Sequence, residues 1–225
     1  MTLGNLSIII PLGPEEDQLA PLLDDLRLLP SRDVEIILAP CADGFQALAK
    51  DGIRVVTAEQ GRARQQNAGA RAAKYDNLWF LHADSRIDPA VLDALEKALG
   101  DAPGALHYFH LKFDRDGPRG MWLNEWGGRF RSQILGLPFG DQGFCLRRDI
   151  FERLGGFPEQ APYGEDHLLV WHARRAGVAI RCAGAALTTS ARKYKTYGWR
   201  RVTMTYQFLW IRQAWPEFWK FIRGG

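Results

Sequence analysis

Short apolar segments alternate with segments of helical periodicity between residues 6 and 100 of this sequence. Residues that favour strands dominate four of these segments, 6–10, 34–38, 54–57 and 78–84. The alternation predicts βαβ units and an α/β fold with a twisted, mostly parallel central sheet and flanking helices. The motif GxGxxG is absent from the sequence, which argues against an ordinary dinucleotide-binding fold.

The helices of this half are predicted from leucine spacing and from small residues. Four leucines recur at helical spacing over residues 19–26 after a predicted acidic first turn, 15–17, and Pro30 is expected to end that helix. A short helix is predicted from Phe45 to Lys50. Another begins within 61–70, where small residues allow close packing against a sheet.

Composition and length narrow the class of protein. The 225 residues fit one large α/β domain, 1–225, and a net charge of +3 does not by itself indicate a nucleic-acid partner. The three cysteines, an odd number, show no metal-type spacing, so a reducing cytoplasm is the simplest location. We expect no signal peptide, and no uninterrupted apolar run is long enough for a membrane-spanning helix.

The stretch 78–85 joins a buried strand to a polar cluster. Four apolar residues precede His82 and Asp84, and ligands of open α/β sheets bind beyond the carboxyl ends of the strands. Asp88 and Pro89 then provide an N-cap and a first helical residue. A carboxylate there is well placed to hold a divalent cation. The alternative is that Asp84 only caps a turn into that helix.

After Gly100 the pattern changes. Residues 105–113 alternate like a strand, and 121–134 are predicted to be helical, with Trp122, Trp126 and Phe130 on one side. Glu165 and Asp166 begin a further helix, which ends near Gly177.

The order of several short motifs resembles a known family. They are a strand ending at Pro11, Arg64 to Asn67, His82-Ala83-Asp84, Gly140-Asp141-Gln142, Gly155-Gly156-Phe157, Glu165-Asp166 and Thr189-Ser190-Ala191-Arg192. Over residues 6–192 the chain resembles a family 2 glycosyltransferase of the GT-A (nucleotide-diphospho-sugar transferase) fold. In particular it is similar to a small bacterial subgroup whose metal motif reads His-Ala-Asp. The resemblance implies a nucleotide-sugar-binding half (1–100), an acceptor-side half (101–191) and a basic, aromatic C-terminal helical tail (192–225).

The resemblance also implies an activity and roles for individual residues. Such enzymes move a sugar from a nucleotide-diphosphate sugar to an acceptor hydroxyl with inversion, assisted by Mn²⁺ or Mg²⁺. Asp84 matches the metal ligand, and Glu165-Asp166 matches the base motif, with Asp166 as general base. Asp141 and Gln142 match acceptor-binding residues, and Asp141 is the second candidate for the base. The alternative for Glu165 and Asp166 is that they only complement a helix dipole.

Further residues match the donor side of the family pattern. Pro11, Arg64 and Asn67 lie in segments that contact the nucleotide, and His82 replaces the usual first aspartate, which commonly contacts the ribose. The aspartate that binds the nucleobase in the family is missing from its usual place. Asp43, two residues further on, is the expected substitute, and the identity of the nucleobase is not determined. Arg192, with neighbouring lysines, is expected to close over the diphosphate. The alternatives are a solvated helix face for Arg62 and Arg64, and a plain basic loop for Arg192.

The C-terminal tail combines basic residues with an aromatic-rich amphipathic stretch, 202–222. This composition indicates either an interfacial segment on an anionic membrane or helices packed on the domain or on a second subunit. The interfacial segment would suit a lipid acceptor at the inner face of the membrane.

Two functions other than glycosyl transfer stay open. A nucleotidyltransferase should carry a basic glycine-rich loop after the first strand, but 12–16 is acidic. The altered loop 40–43 keeps a non-catalytic nucleotide-sugar-binding protein as a third hypothesis.

Overall fold

A computed structural model describes residues 4–27, 29, 33–49 and 52–223. The helix end predicted at Pro30 and the predicted helical residue Lys50 lie outside these residues.

The first half confirms the predicted alternation of strands and helices. Strands β1 (Leu6–Leu12), β2 (Val34–Pro40), β3 (Ile53–Val55) and β4 (Asn77–Phe80) lie side by side in the order β3-β2-β1-β4, and each neighbouring pair is parallel. Helices α1 (Leu19–Leu26), α2 (Arg62–Ala72) and α3 (Pro89–Asp101) belong to the same half. The acidic stretch before α1 lies outside the helix, and the helix predicted over 45–50 is a single 3₁₀ turn, Gln46–Leu48.

The close packing predicted for the small residues of α2 depends on Gly69. A Cβ on this glycine would lie 2.5 Å from Cγ2 of Ile9 in β1 and 3.6 Å from Cγ2 of Ile37 in β2. Real Cβ contacts are never as short as the first of these distances, so α2 approaches the sheet at a distance that only glycine allows.

Strand β4 is shorter than predicted. It ends at Phe80, and residues 81–84 leave the sheet through a turn before β5 (Ser85–Arg86) begins. The chain turns here because β5 pairs antiparallel with a strand from the far end of the sequence instead of continuing beside β1. The predicted helix start is confirmed, since the side chain of Asp88 accepts from the backbone N–H of Val91 at 3.0 Å and Pro89 is the first residue of α3.

The second half extends the same sheet. Its strands are β6 (Leu106–Phe113), β7 (Phe144–Arg147) and β8 (Ile180–Thr189), and its helices are α4 (Met121–Gln133), α5 (Arg148–Arg153), α6 (Glu165–Arg175), α7 (Arg192–Tyr197) and α8 (Trp199–Ile222). The described residues form one eight-stranded sheet in the order β3-β2-β1-β4-β7-β6-β8-β5. Strand β7 is antiparallel to both β4 and β6, whereas β6 and β8 are parallel.

Two apolar clusters cover the faces of the sheet. One contains Ile9, Phe80 and Trp171, and the other contains Ile8, Trp79 and Phe109. Alternate residues of β1 and β4 therefore contribute to opposite faces, as expected for strands buried on both sides. Across the residues that the structure describes, no helix is long and apolar enough to cross a membrane.

Candidate functional site

A cavity of about 470 Å³ lies between the turn after β4 and the helices of the second half. Its polar lining includes Arg62, His82, Asp141 and Asp166, which four separate segments of the chain supply. Helices α4 and α8 supply much of the remaining wall, which is largely apolar and aromatic, with residues such as Leu123, Tyr206 and Trp210. The structure thus brings the predicted base, one predicted acceptor-binding residue and part of the predicted donor motif into one cavity.

Asp166 occupies the first turn of α6 at this cavity. Its Oδ2 accepts a hydrogen bond from the backbone N–H of Gly140, the first residue of the 3₁₀ turn Gly140–Gln142. Desolvation opposes the charged carboxylate, but the nearby Arg62 guanidinium and the Gly140 N–H outweigh it and hold the pKa of Asp166 below its usual value. An ionised carboxylate in a cavity has the charge state that a general base needs.

Arg62 connects the base motif with the turn that follows β4. Its guanidinium donates to the buried carboxylate of Glu165, and its Nη1 lies 3.4 Å from Nε2 of His82. Desolvation disfavours the cation, but the carboxylates of Glu165 and Asp166 overcome it and raise the pKa of Arg62. A permanently charged group therefore stands between the two motifs.

Burial shifts the pKa values of the two polar residues of the turn after β4 in opposite directions, in each case against the charged form. Desolvation and the neighbouring Arg62 cation lower the pKa of His82 to about 3, so its imidazole is neutral near pH 7. Desolvation raises the pKa of Asp84, although the hydroxyl of Thr189, which donates to Asp84 Oδ1 at 3.1 Å, acts in the opposite direction. A neutral imidazole can hydrogen-bond a hydroxyl, and a carboxylate here would gain from a nearby cation.

Asp141 and Arg131 both line the cavity, and each carries a buried atom without a hydrogen-bond partner in the described part of the chain, Oδ1 of Asp141 and Nη2 of Arg131. Desolvation raises the pKa of Asp141, against the positive charges of Arg131 and Lys193. Arg131 is otherwise fixed, since its Nε donates to the carbonyl of Leu137 at 3.0 Å. Buried polar atoms are costly without partners, so these two are suited to a polar ligand.

The metal site predicted at Asp84 offers few protein ligands. No group of three or more His, Cys, Asp or Glu side chains is placed to hold a metal ion in the ranges that the structure describes. The bond from Thr189 uses one oxygen of Asp84. Mg²⁺ in phosphate-binding sites is commonly held by one or two carboxylates, with phosphate and water completing the shell. The residues present therefore fit a cation that the donor diphosphate helps to hold.

Among the predicted donor residues His82 belongs to the cavity lining, whereas Pro11, Asp43, Arg64, Asn67, Asp84 and Arg192 do not. Pro11 is not the end of its strand, since β1 continues to Leu12, and Asp43 is exposed in the bend after β2. Arg64 is exposed, and its Nη1 pairs with Glu59 at 3.0 Å. The side chains of Arg62 and Arg64 are about equally exposed, 47% and 45%. They differ in that Arg62 lines the cavity and pairs with the buried Glu165, whereas Arg64 pairs with the exposed Glu59.

Asn67 and Gln142 make hydrogen bonds that hold backbone segments. The amide of Asn67 donates to the carbonyl of Phe157 at 2.8 Å and accepts from its N–H at 2.9 Å. Gln142 is fully buried; it donates to the carbonyl of Phe109 at 2.8 Å and accepts from the N–H of Phe139 at 3.1 Å. A contact with nucleotide or acceptor would require either side chain to leave these bonds.

Arg192 lies outside the cavity lining, whereas its neighbour Lys193 belongs to it. The guanidinium of Arg192 makes two hydrogen bonds of 2.9 Å to Asp17, in an exposed position. Lys193 lines the cavity, and its positive charge acts on the pKa values of His82, Asp84 and Asp141. Lys193 forms no ion pair with a carboxylate in the described chain, so its charge is available to an anionic ligand.

The sequence analysis did not identify Arg131 or the inner face of α8, and it named Lys193 only as a neighbour of Arg192 and Arg62 only beside Arg64. Arg62 and Lys193 each lie beside or within a motif that was recognised, so the motifs indicated the segments but not the right side chains. For Arg131, a cation in an otherwise amphipathic helix was the available signal. The contribution of α8 had no signal beyond its amphipathic pattern.

Comparison with known proteins gives one family match and several similar structures. The sequence model described as glycosyl transferase family 2 matches residues 7–155. A comparison with curated protein sequences finds no significant match.

Two of the similar structures are complexes with nucleotide sugars. One is S. aureus TarS 1–349 in complex with UDP-GlcNAc, with a TM-score of 0.64, 16% identity and coverage of 84% of this chain and 58% of that one. The other is the mannosyltransferase PcManGT from Pyrobaculum calidifontis in complex with GDP-Man and Mn²⁺, with a TM-score of 0.65, 18% identity and coverage of 87% of this chain and 59% of that one. S. aureus TarS 1–349 in a further structure gives a TM-score of 0.63, 18% identity and coverage of 84% and 60%. The chain thus matches at most 60% of each of these proteins, and the likeness shows a shared fold.

Proposed function

This chain belongs to glycosyl transferase family 2, and we propose that it transfers a sugar from a nucleotide-diphosphate sugar to an acceptor hydroxyl with inversion at the anomeric carbon. The observation that carries the proposal is the position of Asp166. Its carboxylate is held by the Gly140 N–H and by the charge of Arg62, in the same cavity as His82 of the predicted donor motif.

The reaction needs one base and no covalent intermediate. The acceptor oxygen forms a bond to the anomeric carbon while the bond from that carbon to the diphosphate oxygen breaks on the opposite side. Asp166 takes the proton of the acceptor hydroxyl, and the electron pair of the broken bond leaves with the nucleoside diphosphate. Glu165 keeps Arg62 in place, and Arg62 keeps Asp166 ionised.

Charge that develops on the leaving diphosphate must be neutralised. Asp84 would hold a divalent cation, which supplies Lewis-acid stabilisation of the diphosphate when bound. We assign Lys193 a second part of this neutralisation, because it lines the cavity without a carboxylate partner among the described residues. Neutral His82 would donate to or accept from a donor hydroxyl.

The acceptor is assigned to the part of the cavity between α4 and α8. Asp141 and Arg131 supply unpartnered polar atoms for hydroxyl groups, and the apolar wall suits a molecule with an apolar part. A lipid acceptor is therefore one candidate, with peripheral membrane contact through the tail and a cytoplasmic location at the inner face of the membrane. Homodimerisation through the tail is the competing proposal.

The donor is a nucleotide sugar of unassigned base and sugar. The nucleotide sugars bound in the two similar structures support a nucleotide sugar as the class of donor. Asp43, the predicted contact of the nucleobase, is exposed in the bend after β2. From the family match we also propose that the chain is a single domain with three parts. These are a nucleotide-sugar-binding half (1–100), an acceptor-side half (101–191) and a C-terminal tail (192–225).

A thermal-shift screen of nucleotide sugars with Mn²⁺ tests this function. A ligand that binds only the folded state raises the melting temperature, so one class of nucleotide sugar should stand out, and nucleoside diphosphate with Mn²⁺ should retain most of its effect. The best donor is then incubated with the protein, and released nucleoside diphosphate is measured. Binding without any release, even with water as acceptor, would leave a non-catalytic nucleotide-sugar-binding protein.

A further inference from the structure

Helix α8 has an apolar face that points away from the body of the protein. Six of its residues follow helical spacing along one side and are exposed: Met204, Phe208, Ile211, Trp215, Phe218 and Ile222. We call this set the α8 stripe; it extends about 27 Å at 1.5 Å per residue. Met204 is 71%, Phe208 65% and Trp215 63% exposed, which is unusual for side chains of this size in a row.

The opposite face of α8 fixes this orientation. Gln213 donates to the carbonyl of Tyr163 at 2.8 Å and hydrogen-bonds the ring of His167 at 2.9 Å. Glu217 is buried and pairs with Arg175 of α6 at 2.5 Å. Because these polar contacts hold the inner face, turning the α8 stripe inward would break them. The tail therefore packs on its own domain and still leaves an apolar surface outside.

Cations border the α8 stripe. Arg200 and Arg201 lie one helical turn before Met204, and Arg212 lies four residues after Phe208 and three before Trp215. All three are exposed, and none forms an ion pair in the part of the chain that the structure describes. From Arg192 to Arg223 the chain carries eight Lys or Arg and a single carboxylate, that of Glu217.

A second exposed apolar group lies on the helix beside α8. Trp122, Trp126 and Phe130 follow one side of α4, and Trp126 stacks on Phe130 with ring centroids 6.1 Å apart. Asn124 of α4 joins the two helices through bonds of 3.0 Å from its amide to Thr203 and 2.7 Å from the indole of Trp199. The two helices also share the wall of the cavity.

We propose that the α8 stripe and its bordering arginines dock the protein on an anionic lipid bilayer. An interfacial helix places its apolar face at the boundary of headgroups and acyl chains, with aromatic side chains at that depth and basic side chains at the anionic headgroups. The α8 stripe supplies both. The docking proposal assigns the proposed membrane contact to a specific surface, the α8 stripe, and it does not depend on the proposed sugar transfer.

Charge complementarity favours the bilayer over a second copy of the chain. A symmetric dimer through the α8 stripe would bring Arg200, Arg201 and Arg212 of both copies to the same interface. The carboxylate of Glu217, the single acidic group of the tail, is already buried in its pairs with Arg175 and Lys220. These cations would find no free carboxylate in the tail of the other copy, whereas anionic headgroups provide the missing negative charge.

Vesicle sedimentation tests the proposal. The wild-type chain should sediment with vesicles of phosphatidylcholine and phosphatidylglycerol, stay in the supernatant with phosphatidylcholine alone, and come off at high salt. The triple variant Arg200→Gln, Arg201→Gln, Arg212→Gln should lose on the order of 100-fold in partition to the anionic vesicles. The double variant Phe208→Ser, Trp215→Ser should lose roughly tenfold or more.

A matched triple variant removes the same charge elsewhere. Lys97→Gln, Arg153→Gln and Arg181→Gln change exposed cations on α3, α5 and β8, and this variant should sediment like the wild type. Melting temperatures near the wild-type value show that each variant is folded. Equal losses in the two triple variants would overturn the proposal, as would a wild-type chain that ignores both kinds of vesicle. A dimer in sedimentation velocity that Phe208→Ser, Trp215→Ser dissociates would assign this face to a second copy instead.

Discussion

The guanidinium of Arg62 and the carboxylate of Glu165 form an ion pair that joins the first residues of α2 and α6, 103 positions apart in the chain. Glu165 suits the start of a helix, where the dipole favours an anion, but Arg62 does not. The pair therefore offsets the unfavourable position of Arg62 and places its charge beside Asp166 and His82.

Removing this charge should shift the pH dependence of turnover. Arg62 lowers the pKa of Asp166, so Arg62→Gln should raise that pKa. The base acts when ionised, and its activity is lost as the pH falls through its pKa; in the variant the loss should begin at a higher pH. A pH profile of kcat/KM measures this shift. Arg64→Gln, which removes the arginine paired with Glu59, is the control, and superimposable profiles for Arg62→Gln and wild type would refute the assignment.

Lys193 and Arg192 are neighbours with different predicted effects. Lys193→Gln removes a cation of the cavity and should weaken nucleoside diphosphate binding on the order of tenfold, as expected for a charge-assisted contact. Arg192→Gln removes an exposed pair with Asp17 and should change that affinity little. Calorimetric titration of both variants decides between them, and the reverse order would return the role to Arg192.

Asp84 should link metal to nucleotide binding. Asp84→Ala should abolish the increase in nucleoside diphosphate affinity that Mn²⁺ produces, since the carboxylate that holds the cation is lost. Asp43→Ala, at the exposed bend after β2, serves as control and should keep the increase. Calorimetry with and without Mn²⁺ gives the readout; an unchanged Mn²⁺ effect in Asp84→Ala would exclude this ligand.

Asn67 should matter more for stability than for donor binding. Asn67→Ala leaves the buried N–H and carbonyl of Phe157 without partners, which should lower the free energy of unfolding by about 1–3 kcal/mol. Denaturant unfolding measures the loss, with Asn77→Ala, an exposed amide bonded to the Asn5 carbonyl, as comparison. A stable Asn67→Ala variant that no longer binds donor would restore the nucleotide contact predicted from the sequence.

Local patterns made much of the fold predictable. The leucine spacing of α1 and the Asp88–Pro89 helix start are each determined by neighbours within a few positions, and the small residues of α2 indicated close packing without indicating its partners in β1 and β2. The end of β4 was not predictable in this way. Its continuation depends on pairing of Ser85 with Thr189, more than a hundred residues away, so residues 81–84 form a turn.

The candidate site was predictable as a set of segments rather than as a set of side chains. Adjacent residues of a helix point in directions about 100° apart, so the rotation of α7 about its axis determines whether Arg192 or Lys193 faces the cavity. The sequence alone does not determine that rotation. The partner of Arg62 lies in another helix, and the inner face of α8 meets the cavity only through tertiary packing. Of the alternatives for the tail, packing on the domain describes one face of α8, and the other face is exposed.

The rate and stereochemistry of donor cleavage by wild type and Asp166→Asn test the central claim most directly. Proton NMR follows the anomeric signal of the sugar released from the best nucleotide sugar, before the free sugar equilibrates. The wild type should release sugar of inverted configuration. Asp166→Asn, with a similar melting temperature and donor affinity, should be slower by roughly 10²–10⁴-fold. Asp149→Asn, an aspartate in the first turn of α5, should match the wild type. Retained configuration, or an Asp166→Asn variant as fast as the wild type, would contradict the account.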